Sequence, residues 1–128
     1  MPFPQHGPLF TRDEYEEFEQ RAAERHEYHG GYVYAMSGGT LNHSQISGNG
    51  YTLVRTAVRG GTCRAFTEAV RVRATASDEV YPDVSVTCDP RDLTDMRRRV
   101  IDYPTLVVEV LSPSTALYDQ NGKFELYR

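Results

Sequence analysis

The segment Thr105-Leu106-Val107-Val108-Glu109-Val110-Leu111 is apolar at almost every position and is bounded by Tyr103-Pro104 on one side and Ser112-Pro113-Ser114 on the other. Its short length and its valines fit a strand buried on both faces, and such a strand needs neighbours along both of its edges. It is the best candidate for the centre of a sheet. Glu109 sits inside this segment, and an ionised carboxylate in an apolar interior is very costly unless it is paired or bound to a metal. Asp83 meets the same difficulty inside Val80-Tyr81-Pro82-Asp83-Val84-Ser85-Val86. Both acids therefore need a cation.

The rest of the chain supplies the partners. Thr11 and Glu14 form a capping-box pattern, and Tyr15, Phe18 and Ala22 follow at helical spacing, which predicts a first helix from about Arg12 to Arg25. His26 to Tyr28 and Tyr32 to Met36 then flank Gly30-Gly31 as a hairpin. Leu41, Ile46, Leu53, Val54 and Val58 predict one packing face of a helix over 42–59, weakened by Gly48 and Gly50. Cys63 to Glu68, Val70 to Ala74 and Val80 to Cys88 read as consecutive antiparallel strands, with a turn at Ser77-Asp78-Glu79. An arginine-rich loop, 89–99, leads to the apolar run, and Phe124, Leu126 and Tyr127 begin another helix. A single domain over 1–128, with an irregular segment at 1–10, accounts for the pattern.

Composition agrees with one globular domain: 128 residues, 39% hydrophobic and 25% charged. The N-terminal MPFPQHGPLF places prolines where a signal peptide needs an apolar run, and no stretch is long enough to span a membrane, so the expected location is cytoplasmic. Cys63 and Cys88 read as small hydrophobes of half-buried strands rather than as a bridged or metal-binding pair. The net charge of −4 argues mildly against a surface that grips nucleic acid all over. Arg71 with Arg73, and Arg91 with Arg97, Arg98 and Arg99, are local clusters that read equally well as basic patches or as solvated loop and strand faces. Lys123 is the one lysine among 14 basic residues.

Two carboxylates at neighbouring strand ends, together with a backbone carbonyl, are hard oxygen donors of the kind Mg²⁺ takes while keeping several waters. The competing reading is that an arginine simply neutralises each acid. His26-Glu27-Tyr28-His29 is not the helical HExxH of zinc proteases, and Ser112 and Ser114 lack a nucleophile elbow. His43 leaves two readings open, a residue near the site or a polar residue in a first helical turn.

The order of these pieces carries a resemblance. Tyr81-Pro82-Asp83-Val84-Ser85-Val86, then Pro104 to Thr115 with Glu109 inside it, then Asp119, Lys123 and Tyr127, preceded by Glu27-Tyr28, Gly31, Met36-Ser37 and His43, resemble the Uma2 family, a branch of the PD-(D/E)XK nuclease superfamily. The resemblance implies an α/β restriction-endonuclease-like core, a mixed central β-sheet flanked by helices. It implies that Asp83, Glu109 and the carbonyl of Val110 hold Mg²⁺, with Mn²⁺ as a substitute, and that Glu27 approaches the same centre. The superfamily's usual lysine position is Leu111 here, so the catalytic amine is expected from Lys123 on the following helix. The implied activity is metal-dependent hydrolysis of DNA. The rival is an inactive nuclease fold serving as a binding or oligomerisation module. The family's last helix and strand are expected to lie beyond Arg128, leaving an open sheet that favours a homo-oligomer, a dimer being the simplest.

Overall fold

The computed structural model describes residues 9–36, 38–112 and 123–128, apart from the side chain of Phe124. The first helix, α1 (Arg12–Arg21), begins on the expected capping box: Thr11 Oγ1 accepts the Glu14 N–H at 3.2 Å and Glu14 Oε1 accepts the Thr11 N–H at 2.9 Å. It stops short of Arg25 because Ala22 turns to an extended conformation. That turn brings the chain back over the helix, so that the His26 N–H donates to Glu19 Oε1 at 2.8 Å. The buried Tyr15 ring stacks on Tyr28 at 4.9 Å and its hydroxyl donates to the His26 carbonyl. Helix α1 is thereby fixed to the hairpin of β1 (His26–His29) and β2 (Tyr32–Ala35). The two-residue turn between them needs positive φ at both positions, and Gly30 and Gly31 supply φ of 56° and 99°.

After α2 (Leu41–Val58) come β3 (Arg64–Thr67), β4 (Arg71–Thr75), β5 (Asp78–Val80), β6 (Val84–Thr87), the short helix α3 (Pro90–Leu93), β7 (Val100–Ile101), β8 (Pro104–Val108) and the final turn α4 (Phe124–Leu126). The strands form two sheets. One is mixed, in the order β2-β1-β5-β4-β7, with β4 and β7 parallel; the other is antiparallel, β3-β6-β8. With helices packed against the strands, this is the restriction-endonuclease-like α/β fold.

Several expectations are corrected here. The run 80–88 is not one strand. Pro82 has no N–H to give to a ladder, and at Tyr81-Pro82-Asp83 the chain leaves the first sheet and enters the second. Strand β3 accordingly pairs with β6, not with β4. Asp78 and Glu79 belong to β5 rather than to the turn before it. Strand β8 is not the covered centre of a sheet: among the described residues only β6 adjoins it, and Pro104 to Leu106 are exposed. On α2 the inward positions are His43, Ser47, Gly50, Tyr51, Val54 and Val58, whereas Leu41 (89% exposed) and Leu53 (73%) point outward. Cys63 and Cys88 form a disulfide. They are 25 positions apart in sequence, but β3 and β6 pair Arg64 with Thr87, and the cysteines are the next residues along that ladder.

The core has two parts. Tyr15, Tyr28 and Val33 pack under α1, while Val72, Val80 and Ile101 gather Phe66, Leu126 and Tyr127 between the sheets. Leu126 of α4 and Tyr127 just after it pack against the second cluster. None of the helices among the described residues is long and apolar enough to cross a membrane.

Candidate functional site

The site follows from the sheet switch. Asp83 stands where the chain crosses from β5 to β6, and Glu109 and Val110 follow directly on β8, the antiparallel neighbour of β6. The pairing of Val84 with Val108 brings these ends together, and the Val110 N–H donates to Asp83 Oδ2 at 2.7 Å. Asp83 is thus tied to the peptide that follows Glu109.

Glu27 enters from β1. Alternation along the strand turns Glu27 and His29 to the same face, and His29 Nε2 lies 3.4 Å from Glu27 Oε1 while its Nδ1 lies 3.4 Å from Asp78. Glu27 Oε2 accepts the Tyr81 N–H at 2.9 Å. Burial pushes the Glu27 carboxyl up, but the His29 hydrogen bond, the Lys123 charge and the Tyr81 N–H outweigh it, so its pKa ends below the ordinary value. Glu27 is a buried carboxylate held in its ionised form.

Lys123 closes the cluster from the last turn. Its Nζ lies 3.0 Å from Glu109 Oε1 and 3.1 Å from Glu27 Oε2, and the residue is only 5% exposed. Burial alone would lower the pKa of the ammonium, but Glu27 and Glu109 together raise it above the ordinary lysine value. The amine is therefore a fixed positive charge at neutral pH rather than a proton-exchanging base. The Tyr127 hydroxyl, one helical turn on, donates to the same Glu109 oxygen at 2.9 Å. Asp119 lies outside the described residues.

His43 completes the arrangement from α2. Its N–H is capped by Thr40 Oγ1, and its Nε2 lies 3.0 Å from the Val110 carbonyl and 3.5 Å from Asp83 Oδ1. A continuous path of contacts thus runs from His43 through Asp83, Val110 and Glu109 to Lys123, Glu27, His29 and Asp78. Two of its members were missed in the sequence. In the sequence His29 reads only as a candidate zinc ligand, although its two-residue offset from Glu27 puts both on one face of a strand. Asp78 was hidden in an expected turn.

Asp83 Oδ1, the Glu109 carboxylate and the Val110 carbonyl are all hard oxygens, and one or two carboxylates with retained waters suffice for Mg²⁺. The donor set therefore fits such an ion. Among the described residues no three His, Cys, Asp or Glu side chains form a group that could by themselves hold an ion.

Most of the clustered arginines have acidic partners. Arg71 is buried against Glu16 and Glu79, and Arg73 pairs with Glu16 and Asp102. In the loop, Arg91 pairs with Asp89, Arg97 with Asp95, and Arg98 with Asp102. The pair Arg71 and Arg73 is an internal ion-pair network, whereas Arg91, Arg97, Arg98 and Arg99 of the loop are exposed.

Comparison with known proteins bears on this arrangement. The Uma2 family, described as "Putative restriction endonuclease", matches residues 12–128. The uncharacterized protein slr1290 of Synechocystis sp. is 46% identical over 127 residues, which is 98% of this chain and 64% of that protein. A second uncharacterized Synechocystis protein, sll1609, is 31% identical over 94% of this chain and 68% of its own length. The chain thus spans about two thirds of the relatives it matches. Among solved structures, a "putative nuclease belonging to DUF820" from Anabaena variabilis superposes with a TM-score of 0.75 at 20% identity, over 91% of this chain and 67% of the other.

Proposed function

The chain belongs to the Uma2 family of restriction-endonuclease-like proteins, and from that premise we propose that it hydrolyses phosphodiester bonds of DNA with a divalent ion held by Asp83, Glu109 and the carbonyl of Val110. Mg²⁺ is the expected ion and Mn²⁺ its substitute. One observation carries the reading: a buried ammonium, Lys123, lies between Glu27 and Glu109 at the end of the strand pair that also positions Asp83.

When bound, such an ion polarises a phosphate and lowers the pKa of a coordinated water. The protein supplies the rest. Lys123 is the fixed positive charge that offsets charge developing on the phosphate or on the attacking oxygen. Glu27, kept ionised among buried groups, orients Lys123 through their 3.1 Å ion pair. Tyr127 and Lys123 both hydrogen-bond Glu109 Oε1 and so orient that carboxylate. A DNA substrate implies a cytoplasmic place of work, where a disulfide such as Cys63–Cys88 is uncommon.

A second reading has its own observation. Leu41, Ile46 and Leu53 on α2, and Leu106 and Leu111 on and beside β8, are exposed apolar side chains, as a binding or homo-oligomerising module would present. Calorimetric titration with Mn²⁺ separates the readings. The nuclease reading expects saturable binding that is abolished in the Asp83→Ala, Glu109→Ala double variant; equal heats from both proteins would abandon the shared metal site.

A further inference from the structure

The hairpin that delivers Glu27 carries two tyrosines beside it. In the register of β1 and β2, Glu27 stands opposite Tyr34 and His29 opposite Tyr32. Residues directly opposite in an antiparallel pair share a face, with Cβ atoms about 5 Å apart. The intervening Tyr28 and Val33 are buried on the other face against Tyr15 of α1, so one face of the hairpin bears Glu27, His29, Tyr32 and Tyr34. The Tyr34 ring meets the His29 imidazole at 5.4 Å and a steep angle of 68°. A path of direct contacts thus runs from Tyr34 through His29 and Glu27 to Lys123. Core packing does not account for this pair: Tyr32 is 45% exposed, Tyr34 is half-buried, and among the described residues β2 is the outer strand of its sheet.

Charge supplies little hold on DNA at this end of the molecule. The exposed arginines 91 and 97–99 belong to the loop that follows Thr87, whereas Asp83 and Glu109 stand at the opposite end of the β6–β8 pair, at least about 10 Å away along the strands. Arg71 and Arg73 are engaged by Glu16 and its neighbours, and Lys123 by Glu27 and Glu109. The net charge is −4. Binding to a duplex draws on the neutralisation of many phosphates. A single strand has another source of affinity, because its unpaired bases stack on aromatic side chains.

We propose that Tyr32 and Tyr34 form a stacking shelf for an unpaired nucleobase next to the phosphate that is cut, and that the substrate is single-stranded DNA. This inference rests on the phosphodiesterase reading given under the proposed function. The shelf borders the face from which Glu27 reaches Lys123, so a strand whose phosphate lies at Lys123 passes its neighbouring base over the tyrosines. A base paired within a duplex is stacked between its own neighbours and cannot lie there. Stacking tolerates any base, because each has a π-face, so the shelf selects strandedness rather than sequence.

The test is fluorescence anisotropy with a labelled oligothymidylate and with a duplex of the same length, Ca²⁺ replacing Mg²⁺ as the oxygen-ligated ion. Wild type should bind the single strand more tightly than the duplex. Tyr32→Ala and Tyr34→Ala should each weaken the single strand at least about fivefold and leave the duplex unchanged, while Tyr32→Phe and Tyr34→Phe, which keep the ring, should bind as wild type does. A second measurement does not depend on any variant's folding: a single strand carrying iodouracil, irradiated in complex with the wild-type protein, should crosslink to Tyr32 or Tyr34. A wild type that prefers the duplex, alanine variants that keep full affinity for the single strand, phenylalanine variants that lose as much as alanine, or crosslinks confined to other residues would each overturn the proposal. If Mg²⁺-dependent cleavage of DNA is seen alongside any of these, the nuclease reading stands and the shelf alone falls. A wild type that neither binds nor cuts either form of DNA removes the nuclease reading and the proposal with it.

Discussion

Replacing Lys123 with methionine leaves a side chain of similar length but removes the positive charge from between Glu27 and Glu109. Lys123 is 5% exposed and Glu27 2%, so water cannot readily replace the ammonium. Breaking a buried ion pair by deleting one partner typically costs about 3–5 kcal/mol, because the remaining charge is left uncompensated. A domain of this size loses roughly 3–6 °C of Tm for each kcal/mol, which predicts a fall of more than about 9 °C at pH 7.5. The pH dependence provides a second check. In the wild type, the Glu27 carboxyl lies below its ordinary value of 4.5 despite burial. Its contribution is therefore present above that pH and is lost as pH falls through the lower folded value. Without Lys123, burial is opposed only by the remaining partners, the folded pKa rises, and the carboxyl takes up a proton more readily. The deficit of the variant should thus be largest at pH 7 to 8 and should shrink toward pH 4.5. Thermal melts followed by circular dichroism across that range measure it. A loss of less than about 3 °C at pH 7.5, or a deficit that grows as the solution is acidified, would refute the placement of Lys123 as the internal counter-ion.

Three further outcomes follow from other parts of the fold. Glu79 is fully buried, and burial together with the neighbouring Glu16 pushes its carboxyl up to about 7 in spite of Arg71 and Arg73. Stability from its protonated form is complete below 4.5 and is lost as pH rises through 7, so Glu79→Gln should gain stability relative to wild type between pH 5 and 8, and a widening deficit would mean that the Arg71 ion pair dominates. Dithiothreitol, or Cys63→Ser, should destabilise the chain by about 3 kcal/mol, from the loop of 25 positions that the bridge closes; a melt unaffected by reductant would contradict the bridge. The exposed leucines of α2 and β8 should drive concentration-dependent self-association in light scattering, whereas a monomer over a wide concentration range would show that these faces need no cover.

Local chemistry was the legible part of the sequence. The Thr11–Glu14 capping box, the glycine turn after His29 and the two acids stranded among apolar residues each announce themselves within a few positions, and the structure places them as helix start, hairpin and sheet-end carboxylates. What could not be read is what depends on pairing across the chain. Pro82 was visible, but its effect, a transfer between sheets, needs the identity of the strands on either side. Cys63 and Cys88 meet only because β3 pairs with β6 in one particular register. The apolar run at β8 was read as fully covered because hydrophobicity reports what a strand can bury, not how many neighbours it has. On α2, hydrophobicity marks Val54 and Val58, which face inward, but also Leu41, Ile46 and Leu53, which point outward, while His43, Ser47, Gly50 and Tyr51 complete the inward stripe. An inward stripe that is half polar is a poor core and a natural border for a site.

The central claim is that Asp83 and Glu109 hold an ion that works on DNA beside Lys123. Incubating the protein with single- and double-stranded DNA in the presence of Mg²⁺, of Mn²⁺ or of chelator tests it directly, with Asp83→Ala prepared in parallel. The account predicts cleavage that requires the ion and falls at least about a hundredfold in the variant, as losing a group that stabilises transition-state charge commonly does. Cleavage that persists in chelator, or that Asp83→Ala retains in full, would contradict it.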